Sequence, residues 1–169
     1  MTDYLLPLLI VTPIAAALLS FLSGLRWDRV GWPIAAATAG IELGLATLLL
    51  ARVSADGRVF HALAGYPRQY GIELVGDELS AALAVLIGAA ALATLVFSRH
   101  AGPHGNAFYG GFLLLLGGLN GVVLTGDMFN LFVFLEIVGL TTYALVAADR
   151  SAESAFASQN YQFLGTIGG

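Results

Sequence analysis

Long apolar runs dominate the chain, and polar residues gather in the short breaks between them. Reading outward from each run gives candidate helices at residues 5–24, 32–51, 79–97, 108–125 and 128–148. At a rise of about 1.5 Å per residue, each is long enough to cross roughly 30 Å of hydrocarbon. A sixth run occupies residues 156–169. Lipid offers the backbone no hydrogen-bond partner, so helices that satisfy their own amides are the structure such runs predict. The predicted fold class is all-α: a polytopic transmembrane helix bundle of about five spans plus the start of a sixth, forming one membrane domain over residues 1–169.

The longest break, residues 52–76, has a different pattern. Gly57, Arg58, Val59, Phe60, His61, Ala62 and Leu63 alternate in places, and Gly65, Pro67 and Gly71 interrupt the remainder of the break. This predicts a short hairpin or a surface-lying extended piece, with its arginines and His61 in water. Five crossings would put Arg26, Arg29, Arg99 and Arg150 on one side of the membrane and Arg52, Arg58 and Arg68 on the other. The positive-inside rule then places the amino end outside a cytoplasmic membrane. The first run lacks a positive leader and a small-residue cleavage site, so it reads as a retained helix.

Composition narrows the function classes. Only 11% of residues are charged and 58% are hydrophobic, against about 25% charged in soluble domains. All 7 basic residues are arginine and the net charge is −4, which leaves no basic surface for nucleic acid. The absence of cysteine removes disulfides, thiolate metal sites and cysteine nucleophiles. His61, His100 and His104 lack the spacing of a catalytic zinc site. With no nucleophile–base pair or phosphate loop either, the sequence predicts no enzyme acting alone and no cofactor held by this chain.

The informative polar residues are those inside the spans. Glu136 has eight residues before it and twelve after it in the run 128–148, too deep to reach water by snorkelling. An ionised carboxylate is disfavoured in hydrocarbon, and a bound proton or a cation relieves that penalty. Two readings stay open: a carboxyl that loads and releases protons, or a permanently protonated one that bonds a neighbouring helix. Phe129, Phe132, Gly139 and Tyr143 share its face, and a helix packed at Gly139 would bring it a partner. Glu42, ten residues into the run 32–51, is a second proton-bearing candidate. It could equally be a neutral interhelical bond or half of an ion pair with another subunit.

The remaining polar positions have structural explanations. Asp77 and Glu78 open a helix and favour its positive end. Asn120 and Asp127 flank the turn between the fourth and fifth runs, where Gly126 would make the turn, Asp127 would cap the next helix and Asn120 would bridge two helices. Gly117 and Gly121, four apart, predict close helix packing.

The stretch LNGVVLTGDMFNLFVFLE at 119–136, followed by TYALV at 142–146, resembles the fifth-helix signature of antiporter-type proton channels. Among these it is most similar to the D-type subunits of the multisubunit Mrp sodium/proton antiporters. YGIELVGDELSA at 70–81 resembles the opening of the family's third helix, and NYQFLGTIG at 160–168 its sixth. The family includes antiporter-like subunits of respiratory complex I and of membrane-bound hydrogenases, built from two inverted five-helix repeats. The resemblance implies that Glu136 corresponds to a fifth-helix glutamate that pairs with a lysine on a later broken helix. This chain contains no lysine, and family members continue for several hundred residues. The sequence therefore reads as the amino-terminal part of a longer subunit or one piece of a split one.

The function implied is proton transfer through Glu136 coupled to sodium efflux, within a hetero-oligomer of membrane subunits embedded in lipid. A redox-driven proton-pumping module of an NADH or hydrogenase complex is the alternative. A third reading is a non-conducting scaffold in which Glu42 and Glu136 are protonated structural bonds.

Overall fold

The computed structural model describes residues 4–27, 29–62, 72–101, 105–149 and 152–168. Among the described residues five helices are long and apolar enough to cross a membrane. They are α1 (Leu5–Ser23), α2 (Gly31–Asp56), α3 (Glu78–Ala101), α4 (Asn106–Leu124) and α5 (Met128–Val146). A 3-10 turn, Ala147–Asp149, leads into α6 (Ala152–Gly168). With only two short strands among the described residues, the fold is an all-α membrane bundle.

Helix ends depart from the apolar limits where backbone hydrogen bonding continues past them. α2 runs beyond residue 51 to Asp56, with the side chains of Arg52 and Asp56 4.0 Å apart on successive turns. It stops at Gly57, whose φ of 81° is open to glycine and whose N–H caps the Val53 carbonyl at 2.9 Å. Hydropathy reports where lipid ends, whereas a helix ends where its ladder is interrupted.

α4 is the hub of the packing, lying against α1 on one side and α5 on the other. Its glycines make both approaches close. A Cβ at Gly117 would sit 2.9 Å from Ile14 Cγ1 and 3.3 Å from the Ile10 carbonyl oxygen of α1. A Cβ at Gly121 would overlap the ring of Phe134 on α5, and one at Gly118 would lie 2.9 Å from Val138. Gly117 and Gly121 thus serve two different neighbours. Dispersion contacts replace the hydrophobic drive that lipid does not supply.

Two apolar clusters fill the bundle. One includes Leu6, Leu9, Ala46, Leu49, Ala84 and Leu124; the other includes Ala17, Ala35, Ala39, Leu95, Leu113 and Leu116. At the end nearer the second cluster, Asn106 ties α4 to the α1–α2 turn, accepting from Gly31 N–H and donating to the Trp27 carbonyl, each at 2.8 Å. Trp32 donates to the Leu95 carbonyl at 2.9 Å, and the Arg99 guanidinium lies over its ring.

At the other end, β1 (Val59–Ala62) and β2 (Glu73–Gly76) pair antiparallel, Val59 opposite Gly76 and Ala62 opposite Glu73. Gly65, Pro67, Arg68 and Gly71 of the same break lie outside the described residues, as do His104 and Arg150. His61 differs from expectation: it is half-buried, edge-on to Tyr4 with ring centroids 5.7 Å apart. The strand pairing brings it against Tyr4, at the amino end of α1.

Candidate functional site

A proline inside a helix deletes one amide hydrogen, and the carbonyl four residues earlier loses its donor. In α1 that proline is Pro13 and the orphaned carbonyl is Leu9's. The side-chain amide of Asn120, one turn before the end of α4, donates to the Leu9 oxygen at 2.9 Å. The same nitrogen donates its other hydrogen to Glu42 Oε2 on α2, also at 2.9 Å. Asn120 therefore joins three helices through one NH₂ group.

Glu42 and Asn120 are each 1% exposed. They fall between the two apolar clusters: Glu42 lies between Ala39 and Ala46 on α2, and Asn120 between Leu116 and Leu124 on α4. Glu42 Oε1 and Asn120 Oδ1 are buried with no hydrogen-bond partner among the described residues. Asn120 stands inside α4, within the expected span 108–125, and bridges helices as expected, joining α4 to both α1 and α2.

Glu136 lies elsewhere. It is exposed on the outer face of α5 with Phe129, Phe132 and Leu140. No hydrogen bond or ion pair reaches it among the described residues. The three atoms nearest to a Cβ at Gly139 all belong to Tyr143 of the same helix, at 3.7–3.9 Å, and the hydroxyl of that tyrosine lies against Gly165 of α6. α6 packs higher on α5, where Ser158 donates to the Tyr143 carbonyl at 2.8 Å and Tyr161 stacks edge-on with Tyr143. The α4–α5 register nonetheless relates the two carboxyls. Gly121 meets Phe134 and Gly118 meets Val138, so Glu136 is level with Asn120 across the thickness of α4 and α5.

The capping residues hold the frame. Asp127 Oδ1 accepts the Asn130 N–H at 2.8 Å at the start of α5. Gly126 does not occupy the left-handed region that a glycine turn would use. Small size is what its position demands, since a Cβ there would come within 2.6 Å of Val75 Cγ2 while its N–H bonds the Glu73 carbonyl at 2.9 Å. Asp77 accepts the Ser80 N–H at 2.9 Å and its own N–H bonds the Ser80 hydroxyl at 2.7 Å, a reciprocal cap on α3. That backbone hydrogen bond, with smaller help from Arg58 3.9 Å away, holds the Asp77 carboxyl below its ordinary value. Among the described residues no three His, Asp or Glu side chains converge as a metal site. Sequence reasoning missed Pro13; the signal was a proline inside a helical run facing an embedded asparagine.

No family model matches the chain. It is 38% identical over 178 residues to the N subunit of NADH-quinone oxidoreductase from Desulforudis audaxviator, covering 98% of this chain and 34% of that one. It is 35% identical over 158 residues to the D subunit of a probable K(+)/H(+) antiporter from Rhizobium meliloti, covering 86% and 29%. Among solved structures it superposes on a chain of the membrane-bound sulfane sulfur reductase, an archaeal respiratory membrane complex, with a TM-score of 0.91 at 29% identity, covering 98% and 35%. A chain of the Mrp complex from Dietzia gives 0.86 at 28% identity, covering 96% and 31%. The chain spans about a third of the length of these relatives. In sequence and in fold, this multi-pass membrane protein belongs to the antiporter-like membrane subunits, the family that joins the D subunits of cation/proton antiporters to the N subunit of NADH-quinone oxidoreductase.

Proposed function

We propose that this chain is part of a proton-carrying membrane subunit of a monovalent cation/proton antiporter in the cytoplasmic membrane, with its amino end outside. The observation that carries the reading is Glu136, a carboxyl on an outer apolar face of α5, in a chain similar along 86% of its length to the D subunit of a probable K(+)/H(+) antiporter. A carboxyl at that depth needs a proton or a cation. The chain has no lysine, and the arginines among the described residues lie in loops or near helix ends. The partner of Glu136 therefore comes from outside these residues, across the face that α5 leaves open. As that partner approaches or withdraws, Glu136 releases or takes a proton. Sodium is the coupling ion of first choice and potassium the second, since relatives are named for each.

The test is cation-induced collapse of an imposed proton gradient in inverted vesicles containing the assembled complex. Collapse by sodium or potassium that depends on this chain supports antiport. An assembled complex indifferent to both contradicts it.

A second reading, a membrane subunit of a redox-driven proton pump, is favoured by the match over 98% of this chain to the N subunit of NADH-quinone oxidoreductase. Copurification of flavin or iron–sulfur subunits, with a gradient built by electron transfer, would decide for it.

A further inference from the structure

We infer that Glu42 and Asn120 form a proton-binding site distinct from Glu136, in which Glu42 carries an exchangeable proton at the break that Pro13 makes in α1.

Asn120 spends both amide hydrogens, on Leu9 and on Glu42 Oε2, so its Oδ1 can only accept. Glu42 Oε1 is the other buried atom without a partner among the described residues. An ionised Glu42 would leave two acceptors facing nothing. A proton on Glu42 supplies the one missing donor: an acid and a primary amide then have matched donors and acceptors on both sides. Buried polar groups in folded proteins are nearly always satisfied, so two neighbouring buried acceptors without a partner call for a donor.

No cation competes with the proton among the described residues. α1 carries no titratable side chain, and α4 carries only Tyr109, in its first turn. α3 has Glu78 at its start and Arg99 and His100 in its last turn. On α2 itself the other charged residues are Arg52 and Asp56, paired with each other in its last turns. None of these is at the level of Glu42, which lies between the two apolar clusters.

A sealed structural bond would have every group paired. Here the two unpaired atoms adjoin a helix whose own ladder is interrupted at Leu9. A proton on Glu42 Oε1 takes part in no helical hydrogen bond, so it can leave and return without any helix moving. Level with Glu136 through the α4–α5 register, the site extends proton binding from the outer face of α5 into the bundle interior. That placement along a transfer line rests on the transport reading; the protonation of Glu42 does not.

The test is infrared difference spectroscopy on the intact membrane complex at neutral pH, in H₂O and D₂O. The expected result is a protonated-carboxyl carbonyl band that shifts on transfer to D₂O within minutes. It is lost in Glu42→Gln and retained in Glu136→Gln. Asn120→Leu, which keeps Glu42 and removes its hydrogen-bond donor, should move the band to higher frequency and guards against a Glu42→Gln variant that fails to assemble. A carboxyl band unaffected by both the Glu42 and the Asn120 substitution overturns the proposal. So does a Glu42 band that stays unshifted in D₂O for hours, the signature of a sealed bond. The spectrum does not depend on transport, so its failure is distinguishable from failure of the antiporter reading.

Discussion

The side-chain amide of Asn120 takes the place of the amide hydrogen that Pro13 lacks, meeting the Leu9 carbonyl at 2.9 Å. A helix interruption in α1 is thus repaired by a residue 111 positions away in sequence, and the same amide secures Glu42.

Removing that amide leaves the Leu9 carbonyl and both Glu42 oxygens without a donor inside the bundle. Asn120→Ala should destabilise the protein by about 1–3 kcal/mol, seen as a lower midpoint in thermal unfolding of the detergent-solubilised protein. In a Pro13→Ala background the helix supplies Leu9's donor again, so the same substitution should cost measurably less. Additivity in this double-mutant cycle would contradict the repair.

Helix spacing around α4 gives a sharper contrast. Gly121→Ala drives a methyl into the Phe134 ring and should cost about 1–3 kcal/mol, with loosening of α5 from α4. Gly40→Ala meets nothing within 4 Å and should leave the unfolding midpoint unchanged or slightly raised.

The cap at Asp77 has a pH signature. Its carboxyl titrates below the ordinary 3.8 in the folded chain, so its contribution is fully present above that value. It is lost as pH falls through the lower folded value. Asp77→Asn should remove this acid-side loss below about pH 4 while costing about 0.5–2 kcal/mol at neutral pH. Unfolding followed between about pH 2 and 7 checks both.

How much of this could be read from the sequence depends on the range of the interaction. The spans were legible because hydrocarbon thickness sets the length of apolar runs, and Asp127 because a cap is local, three residues from Asn130. Glu42 and Glu136 stood out because carboxyls in apolar runs are rare. Their difference was not legible: periodicity gives each a helix face, but only the packing of α1 and α4 on α2 buries Glu42, while α5 turns Glu136 outward. The Asn120–Leu9 bond joins α4 to α1, and no local pattern encodes it. Gly126 lies in the turn between α4 and α5 as read, but the need for a small residue there comes from Val75, across the chain.

Proton transfer through Glu136 is tested most directly by cation/proton exchange in the assembled complex carrying Glu136→Gln, measured beside wild type in the same inverted vesicles. The predicted result is a fall of at least about tenfold in cation-driven proton release, with unchanged subunit stoichiometry and midpoint of thermal unfolding. Exchange at the wild-type rate in a fully assembled Glu136→Gln complex would contradict it.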